Sequence, residues 1–330
     1  MLRFGVVGLG IGQVHVNVLK SLPNAELRAV CDLNEAKANE VGAAAGVAAY
    51  TDFVQMIETE KLDAISLCTN PKSHLPIGAE CARRGVHVLC EKPMGPNVQD
   101  CLDLAQACED AGVVLLVAQK KRFAPAVAFL KAHVGGDFGR AISANYRFHL
   151  GQVGHNWFWQ EDDGGGPLVE NAVHTMDTLR WLLGDMKSIR GLGGNLFVKD
   201  RAPQIDIALG LIEFQSGAIA AVELGSASEW VIADEELFIG CEKAVVRSRG
   251  AFAAPSEILY VYRDEQQPRT EVIDYSGDNG HRDFVAEISH FIDCIENGTA
   301  PLVPGRDAAK SVAACLALKK AVREGTTVEL

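Results

Sequence analysis

Hydrophobic positions in the first third of the chain come in short, nearly unbroken runs. Leu2–Val7, Leu27–Cys31, Ala64–Cys68, Val86–Cys90 and Val113–Ala118 are rich in Val, Ile and Leu. Runs of that length without polar alternation suit strands buried on both faces. Between them, Gln13–Leu22, Glu35–Ala45, Phe53–Thr59, Leu75–Arg84 and Val98–Ala111 have the mixed pattern of helices. Gly85 and Gly112 stand just past two of these, where a left-handed C-terminal cap belongs. Strand and helix alternating in this way predict a parallel, doubly wound sheet with right-handed crossovers.

The pattern changes after Arg122. Pro125–His133 is helix-like and Ala141–Leu150 strand-like. A polar, Gly-rich stretch follows at Glu161–Gly166, and a helix is predicted across Leu168–Leu183. Ile205–Leu211 alternates with period two, and Ser216-Gly217 turns the chain into Ala218–Leu224. Leu237–Ile239, Ala244–Arg247, Ile258–Tyr262 and Glu271–Tyr275 continue the series. Successive strands without helices between them predict an antiparallel sheet. Phe284, Ile288, Phe291 and Ile295 mark one face of a helix ending at Asn297-Gly298, and a last helix runs from about Asp307 to Glu324. The fold class is therefore α/β. Residues 1–121 form a doubly wound parallel domain, and residues 122–330 form an α/β domain on a largely antiparallel open sheet.

Composition narrows the function classes. The chain has 330 residues, 48% hydrophobic and 22% charged, with a net charge of −12. Two globular domains suit that length. An acidic chain is a poor partner for nucleic acid or anionic lipid. No apolar run reaches the ~20 residues of a membrane span. The first strand begins at Leu2, which leaves no room for a signal peptide. The nine cysteines form no C-x-x-C pair and sit mostly in apolar runs, as buried thiols in a reducing cytoplasm would. No His, Cys and carboxylate cluster has metal-ligand spacing, so no metal is expected.

Gly8-Leu9-Gly10-Ile11-Gly12 follows the first strand and opens the first helix. Glycines there let a pyrophosphate approach bare backbone at a helix N-terminus. The spacing is one residue short of the usual G-x-G-x-x-G, so Gly12 and Gln13 share the role of the third glycine. Asp32 ends the second strand, 24 residues after Gly8. A carboxylate there accepts from the ribose hydroxyls and repels a 2′-phosphate, and no Arg stands at Leu33 or Asn34. This favours NAD over NADP; the alternative is an Asp that only caps the next helix.

Lys92, in Cys90-Glu91-Lys92-Pro93, ends the fourth long run, on the rim where ligands of open α/β sheets bind. Thr69, Asn70 and His74 belong to the preceding loop on the same rim, where a helix cap is the plainer reading. In the second half, Gly164-Gly165-Gly166-Pro167 leads to Glu170, His174 and Asp177. Glu170 and His174 are four apart on the predicted helix, so the carboxylate can orient the imidazole as a general base. The alternative is a buried histidine satisfied by its helix neighbour. Trp157 precedes the glycines and suits either stacking on a sugar or packing under a loop. Arg122 suits either a carboxylate or phosphate ligand or a brace at the domain junction.

These motifs occur together and in order, along with Arg122-Phe123, Pro125, Phe284, Glu287, Phe291 and Pro301. As a set the chain resembles the glucose–fructose oxidoreductase/inositol dehydrogenase (Gfo/Idh/MocA) family over nearly its whole length. The resemblance implies a Rossmann domain binding NAD through Gly8, Gly10, Ile11, Gly12, Gln13, Asp32, Thr69, Asn70, His74, Glu91 and Lys92. It implies Lys92 and His174 as the catalytic pair, with Glu170 and Ala172 where the family usually has Asp and Gly. Arg122, Trp157 and Asp177 are the weaker substrate candidates. Implied too are a polyhydroxylated substrate oxidised or reduced at a secondary carbon, and a homodimer or homotetramer built on the open sheet. A cofactor-binding sensor without turnover and an NAD-dependent glycoside hydrolase are the alternatives.

Overall fold

The unbroken apolar runs form the centre of a six-stranded, all-parallel sheet in the computed structural model, which describes residues 1–151, 156–201, 203–228, 234–250, 256–273 and 281–330. Its elements are β1 (Leu2–Val7), α1 (Gly12–Ser21), β2 (Ala25–Cys31), α2 (Glu35–Ala45), β3 (Ala48–Tyr50), α3 (Phe53–Glu60), β4 (Ala64–Leu67), α4 (His74–Arg83), β5 (His87–Glu91), α5 (Val98–Ala111) and β6 (Leu115–Ala118). The strand order is β3-β2-β1-β4-β5-β6, so the order reverses between β1 and β4. Phe4, Val6, Ile65, Val88 and Leu116 are fully buried, as strands covered on both faces require. Asn34, Asp52 and Asn97 cap α2, α3 and α5 by accepting backbone N–H groups, each contributing about 1 kcal/mol. The edge strand β3 was not expected. It is only three residues long and half-buried, at the edge of the sheet.

The chain divides into two compact units, and the division is not a single cut. The first unit comprises Met1–Lys120 and Asp283–Ala309. It therefore takes in nearly all of a helix that the sequence pattern left in the second half. In this unit Phe291 meets Phe4 edge-on at 6.2 Å, Phe284 meets His15 at 5.4 Å, and the Val117 N–H donates to the Val303 carbonyl.

The second unit comprises Lys121–Arg282 and Lys310–Leu330. Its elements are α6 (Pro125–His133), β7 (Ala141–Gly151), α7 (Glu161–Gly164), α8 (Pro167–Glu170), α9 (Val173–Leu183), β8 (Met186–Gly194), β9 (Ile207–Phe214), β10 (Ile219–Ser228), β11 (Asp234–Cys241), β12 (Ala244–Arg249), β13 (Ser256–Tyr262) and β14 (Arg269–Ile273). The chain then enters α10 (Arg282–Asn297) and α11 (Gly305–Glu324), which the boundaries between units cross, and ends on β15 (Thr327–Glu329). The nine strands lie in the order β14-β13-β12-β11-β7-β10-β9-β8-β15. All pairs are antiparallel except β7 with β10. Asp274 and Tyr275, expected to close the strand at β14, lie outside the described residues.

Two expectations fail here. The helix predicted over Leu168–Leu183 is broken between Glu170 and Val173, and β8 was not foreseen. The strand is hidden in sequence by Gly191, Gly193 and Gly194. Gly191 has a packing reason, because a Cβ there would lie 2.7 Å from Leu318 of α11. One face of the sheet is buried and the other open, with alternation clearest along β9. Leu192, Leu209, Leu211 and Ile219 stand on the open face with half or more of their surface exposed. Toward β11 and β12 the exposed residues become ionic. Arg147 pairs with Asp234 at 2.9 Å, and Arg249 with Glu236 at 3.2 Å. No helix among the described residues is long and apolar enough to cross a membrane.

Candidate cofactor and catalytic sites

The β1–α1 loop has the geometry of an anion cradle. Gly8 has φ of +86°, and a Cβ there would come within 2.7 Å of the Cys68 carbonyl group. Only glycine fits that position. A Cβ on Gly10 would meet no atom within 4 Å, so the loop is open on that side. Ile11 is exposed and α1 begins at Gly12 without a side-chain cap or an acidic residue in its first turn. Its first N–H groups and the positive end of its dipole suit a pyrophosphate. The Gln13 amide holds the loop by donating to the Leu9 carbonyl at 3.0 Å.

Asp32 fastens the same loop. Its two oxygens accept from the Leu9 and Asn34 N–H groups, each at 2.9 Å. The cap of α2 is Asn34, so Asp32 is not merely a helix cap. Each carboxylate oxygen retains a lone pair with which to accept from a ribose hydroxyl. Leu33 beside it is 93% exposed and carries no charge for a 2′-phosphate. Open glycine, uncapped helix and anchored carboxylate together fit a dinucleotide with a free 2′-hydroxyl.

The next two loops of the sheet are held by buried polar groups. Asn70 accepts from the Ser73 N–H and hydroxyl, at 3.2 and 2.6 Å, and the Thr69 hydroxyl reaches the Asn70 carbonyl at 3.4 Å. His74 is fully buried, with its ring nitrogens 3.1 Å from the carbonyls of Thr69 and Pro93. Burial lowers its pKa although both carbonyls favour the charged ring. His74 therefore braces two loops against each other. Glu91, also expected at the cofactor, is held by internal partners. It is buried, one oxygen 3.1 Å from His15 Nε2 and the other accepting the Lys92 N–H at 3.0 Å. Lys92 follows at the strand end, half-buried, with a cis bond to Pro93.

In the second unit, His174 lies buried in the first turn of α9, and its carbonyl accepts from the Thr178 hydroxyl at 2.8 Å. Glu170 ends α8, a separate short helix. The argument from one shared helical face is overturned, because Asn171 and Ala172 interrupt the helix. The glycine turn before it is braced in a way the sequence did not signal. Gly166 has φ of +79°, and a Cβ there would lie 2.5 Å from Gln204 Oε1. Buried Lys319 donates to the Gly165 carbonyl at 2.8 Å and pairs with Glu161 at 2.9 Å. Arg323, then Lys319, hold the Glu161 carboxyl down at about 2.

Two substrate candidates are committed elsewhere. Arg122 donates to both oxygens of Asp177 at 2.8 and 2.6 Å, and its guanidinium lies over the Trp181 ring at 4.6 Å. The Ser311 hydroxyl adds a third bond to Asp177. Both charged groups are buried, so they form an internal brace of this unit and leave no free ligand. Trp157 is half-buried, packing on Gly164 and edge-on to Phe158. Among the described residues no group of three or more His, Cys, Asp or Glu suits a metal ion.

A family model described as an oxidoreductase NAD-binding Rossmann fold matches residues 2–119, and one for the family's C-terminal α/β domain matches residues 131–330. The chain is 27% identical to a myo-inositol 2-dehydrogenase of Thermotoga maritima, covering 100% of this chain and 98% of that one. It is 26% identical to an NAD(+)-dependent scyllo-inositol 2-dehydrogenase of Bacillus subtilis, over 99% and 96% of the two chains. The fold is shared with a levoglucosan dehydrogenase solved with NADH and levoglucosan, at a TM-score of 0.90, 19% identity and 99% coverage of each chain. With both of its domains matched in order, the chain belongs to the Gfo/Idh/MocA family of oxidoreductases.

Proposed function

We propose that the protein is an NAD-dependent dehydrogenase acting on a secondary hydroxyl or carbonyl carbon of a sugar, cyclitol or related polyol. The observation that carries this reading is the rim of the parallel sheet. There the Gly8–Gly12 cradle, the anchored Asp32 and the end of β5 at Lys92 follow strands β1, β2 and β5. The inositol-acting relatives support a polyhydroxylated substrate.

Gly8, Gly10, Ile11, Gly12 and Gln13 would hold the pyrophosphate, Asp32 the adenosine ribose, and Thr69, Asn70 and Lys92 the end toward the nicotinamide. When bound, NAD supplies the carbon that accepts or gives the hydride. Oxidation of the alcohol also requires the hydroxyl proton to leave. We assign that proton to Nε2 of His174, since Nδ1 is fully buried. The Lys92 ammonium would stabilise negative charge that develops on a substrate oxygen. Glu170 acts as a partner of the imidazole across the break between α8 and α9. The first unit then serves the cofactor, and the second serves the substrate and assembly.

The exposed leucines of the nine-stranded sheet support a homodimer or homotetramer joined through that face. All nine cysteines are free and buried, which suits the reducing cytoplasm.

A panel of inositols, sugars and sugar acids tests the proposal, with formation of reduced nicotinamide as the readout. At least one compound should turn over with NAD. Lys92→Ala and His174→Asn should each lose about 100-fold or more in kcat while still binding NADH. Tight NADH binding with no turnover on any member of the panel would sink the enzyme reading.

A further inference from the structure

The first unit contains a buried polar cluster that the mechanism above does not use. His15, on the inner face of α1, is fully buried. Its Nε2 lies 3.1 Å from Glu91 Oε1, and its Nδ1 lies 2.6 Å from Ser66 Oγ. Ser66 in turn reaches Cys68 Sγ at 3.4 Å. The second Glu91 oxygen accepts the Lys92 N–H at 3.0 Å. Residues of β4, β5 and α1 thus converge on the backbone of the residue assigned to the chemistry. Glu287, from the returning helix α10, is also fully buried, and neither of its oxygens has a hydrogen-bond partner.

A histidine and a carboxylate are rarely buried between a helix and a sheet without a use, because desolvating them costs several kcal/mol. Burial alone would remove the charge from His15, yet Cys68 and Glu91 outweigh it and keep the ring's pKa well above the usual range. Burial likewise opposes the Glu91 charge, and His15 outweighs it. Both directions describe an ion pair. Glu287 behaves in the opposite way. Burial first, then the nearby Glu91 charge, push its carboxyl well up, so it is a neutral acid beside the pair.

We propose that the His15–Glu91 ion pair is a positioning device for Lys92. It fixes the Lys92 backbone through the Glu91 carboxylate and so sets where the lysine ammonium stands. His15 and Glu91 are positioning residues and touch no substrate. The inference rests on the reading of Lys92 as the residue that stabilises the substrate oxygen. It gives a reason for the polar residue at each end of the device: Glu91 to hold the N–H, and His15 to keep Glu91 charged and oriented.

The test is a double-mutant cycle with Lys92→Ala, joined to hydrogen exchange on the cofactor-free protein. Glu91→Gln and His15→Gln should each lower kcat about tenfold or more, while the Kd for NADH and the KM for the alcohol change by less than about threefold. In the Lys92→Ala background the same substitutions should cost less than about twofold, because there is no ammonium left to place. Without cofactor, the Lys92 amide should exchange about tenfold faster in either variant, as expected for one lost hydrogen bond. Should Glu91→Gln fail to fold, His15→Gln carries the cycle. Full kcat in the single variants, equal losses in both backgrounds, or an unchanged Lys92 amide would each overturn the device. Full kcat in Lys92→Ala itself would instead remove the reading on which the device rests, and the device with it.

Discussion

The two sheets of this protein solve opposite problems. In the six-stranded sheet both faces are covered, every pair is parallel, and all the strands except the edge strand β3 carry fully or nearly fully buried residues. What it exposes is one rim, and there the Gly8–Gly12 loop, Asp32 and Lys92 are found. In the nine-stranded sheet one face is left open, with exposed Leu192, Leu209, Leu211 and Ile219 on β8 to β10 and the pairs Arg147–Asp234 and Arg249–Glu236 around β7, β11 and β12. The difference teaches where to look for function. A doubly covered sheet can act only at its strand ends, whereas an open sheet presents a surface broad enough for another protein chain.

The comparison is most sharply broken at the open face. Leu211→Glu would place like charges against each other if this face joins two copies, weakening association on the order of a thousandfold. Light scattering should then find monomers. An unchanged mass would mean that the leucines face no second copy. At the covered sheet, Gly8→Val should reduce NADH affinity about 100-fold without moving the open-face assembly, because the side chain meets the Cys68 carbonyl group. Titration with NADH measures it, and undiminished binding would place the cofactor elsewhere.

A smaller shift is expected from Asp32→Ser combined with Leu33→Arg. The ratio of kcat/KM for NAD to that for NADP should fall about tenfold or more. If the parent protein already prefers NADP, the argument from Asp32 is wrong. The smallest effect concerns the glycine turn of the second unit. Glu161 titrates at about 2 against an ordinary 4.5, so its contribution to stability is present above the ordinary value and is lost as pH falls toward about 2. The melting temperatures of Glu161→Gln and the parent should therefore differ most above pH ~5 and converge near pH ~2. A gap that does not change with pH would assign the effect to packing.

Much of the covered sheet was legible because its signal is local. Unbroken apolar runs, with glycines beyond the helices, leave little choice of fold. The open sheet was harder. Strand β8 carries three glycines, of which Gly191 admits Leu318 and Gly193 lies against the backbone of β9, and such close approaches erase the apolar pattern that would announce a strand. The break at Asn171-Ala172 carries neither Pro nor Gly, so periodicity ran straight through it. The surroundings of the charged residues were not legible, for one common reason. Glu91, His74, Arg122 and Asp177 were all candidate ligands in sequence, with a brace or a cap left open for Arg122 and His74, and all four are buried with internal partners. Each has a partner far along the chain, His15 for Glu91, the Pro93 carbonyl for His74, and Arg122 and Asp177 for each other, and at such distances spacing carries no information. Lys319 and Gln204, which support the glycine turn, were missed for that same reason.

The central claim is that a hydride leaves a secondary carbinol carbon and is kept on the nicotinamide. Its most direct test uses the best alcohol from the panel, deuterated at the carbon that is oxidised, with the purified protein and NAD. Mass spectrometry of the reduced cofactor should find deuterium in it, matched one for one by the ketone formed. Ketone without label in the cofactor, or cleavage of a glycoside with NAD returned unreduced, would contradict the account.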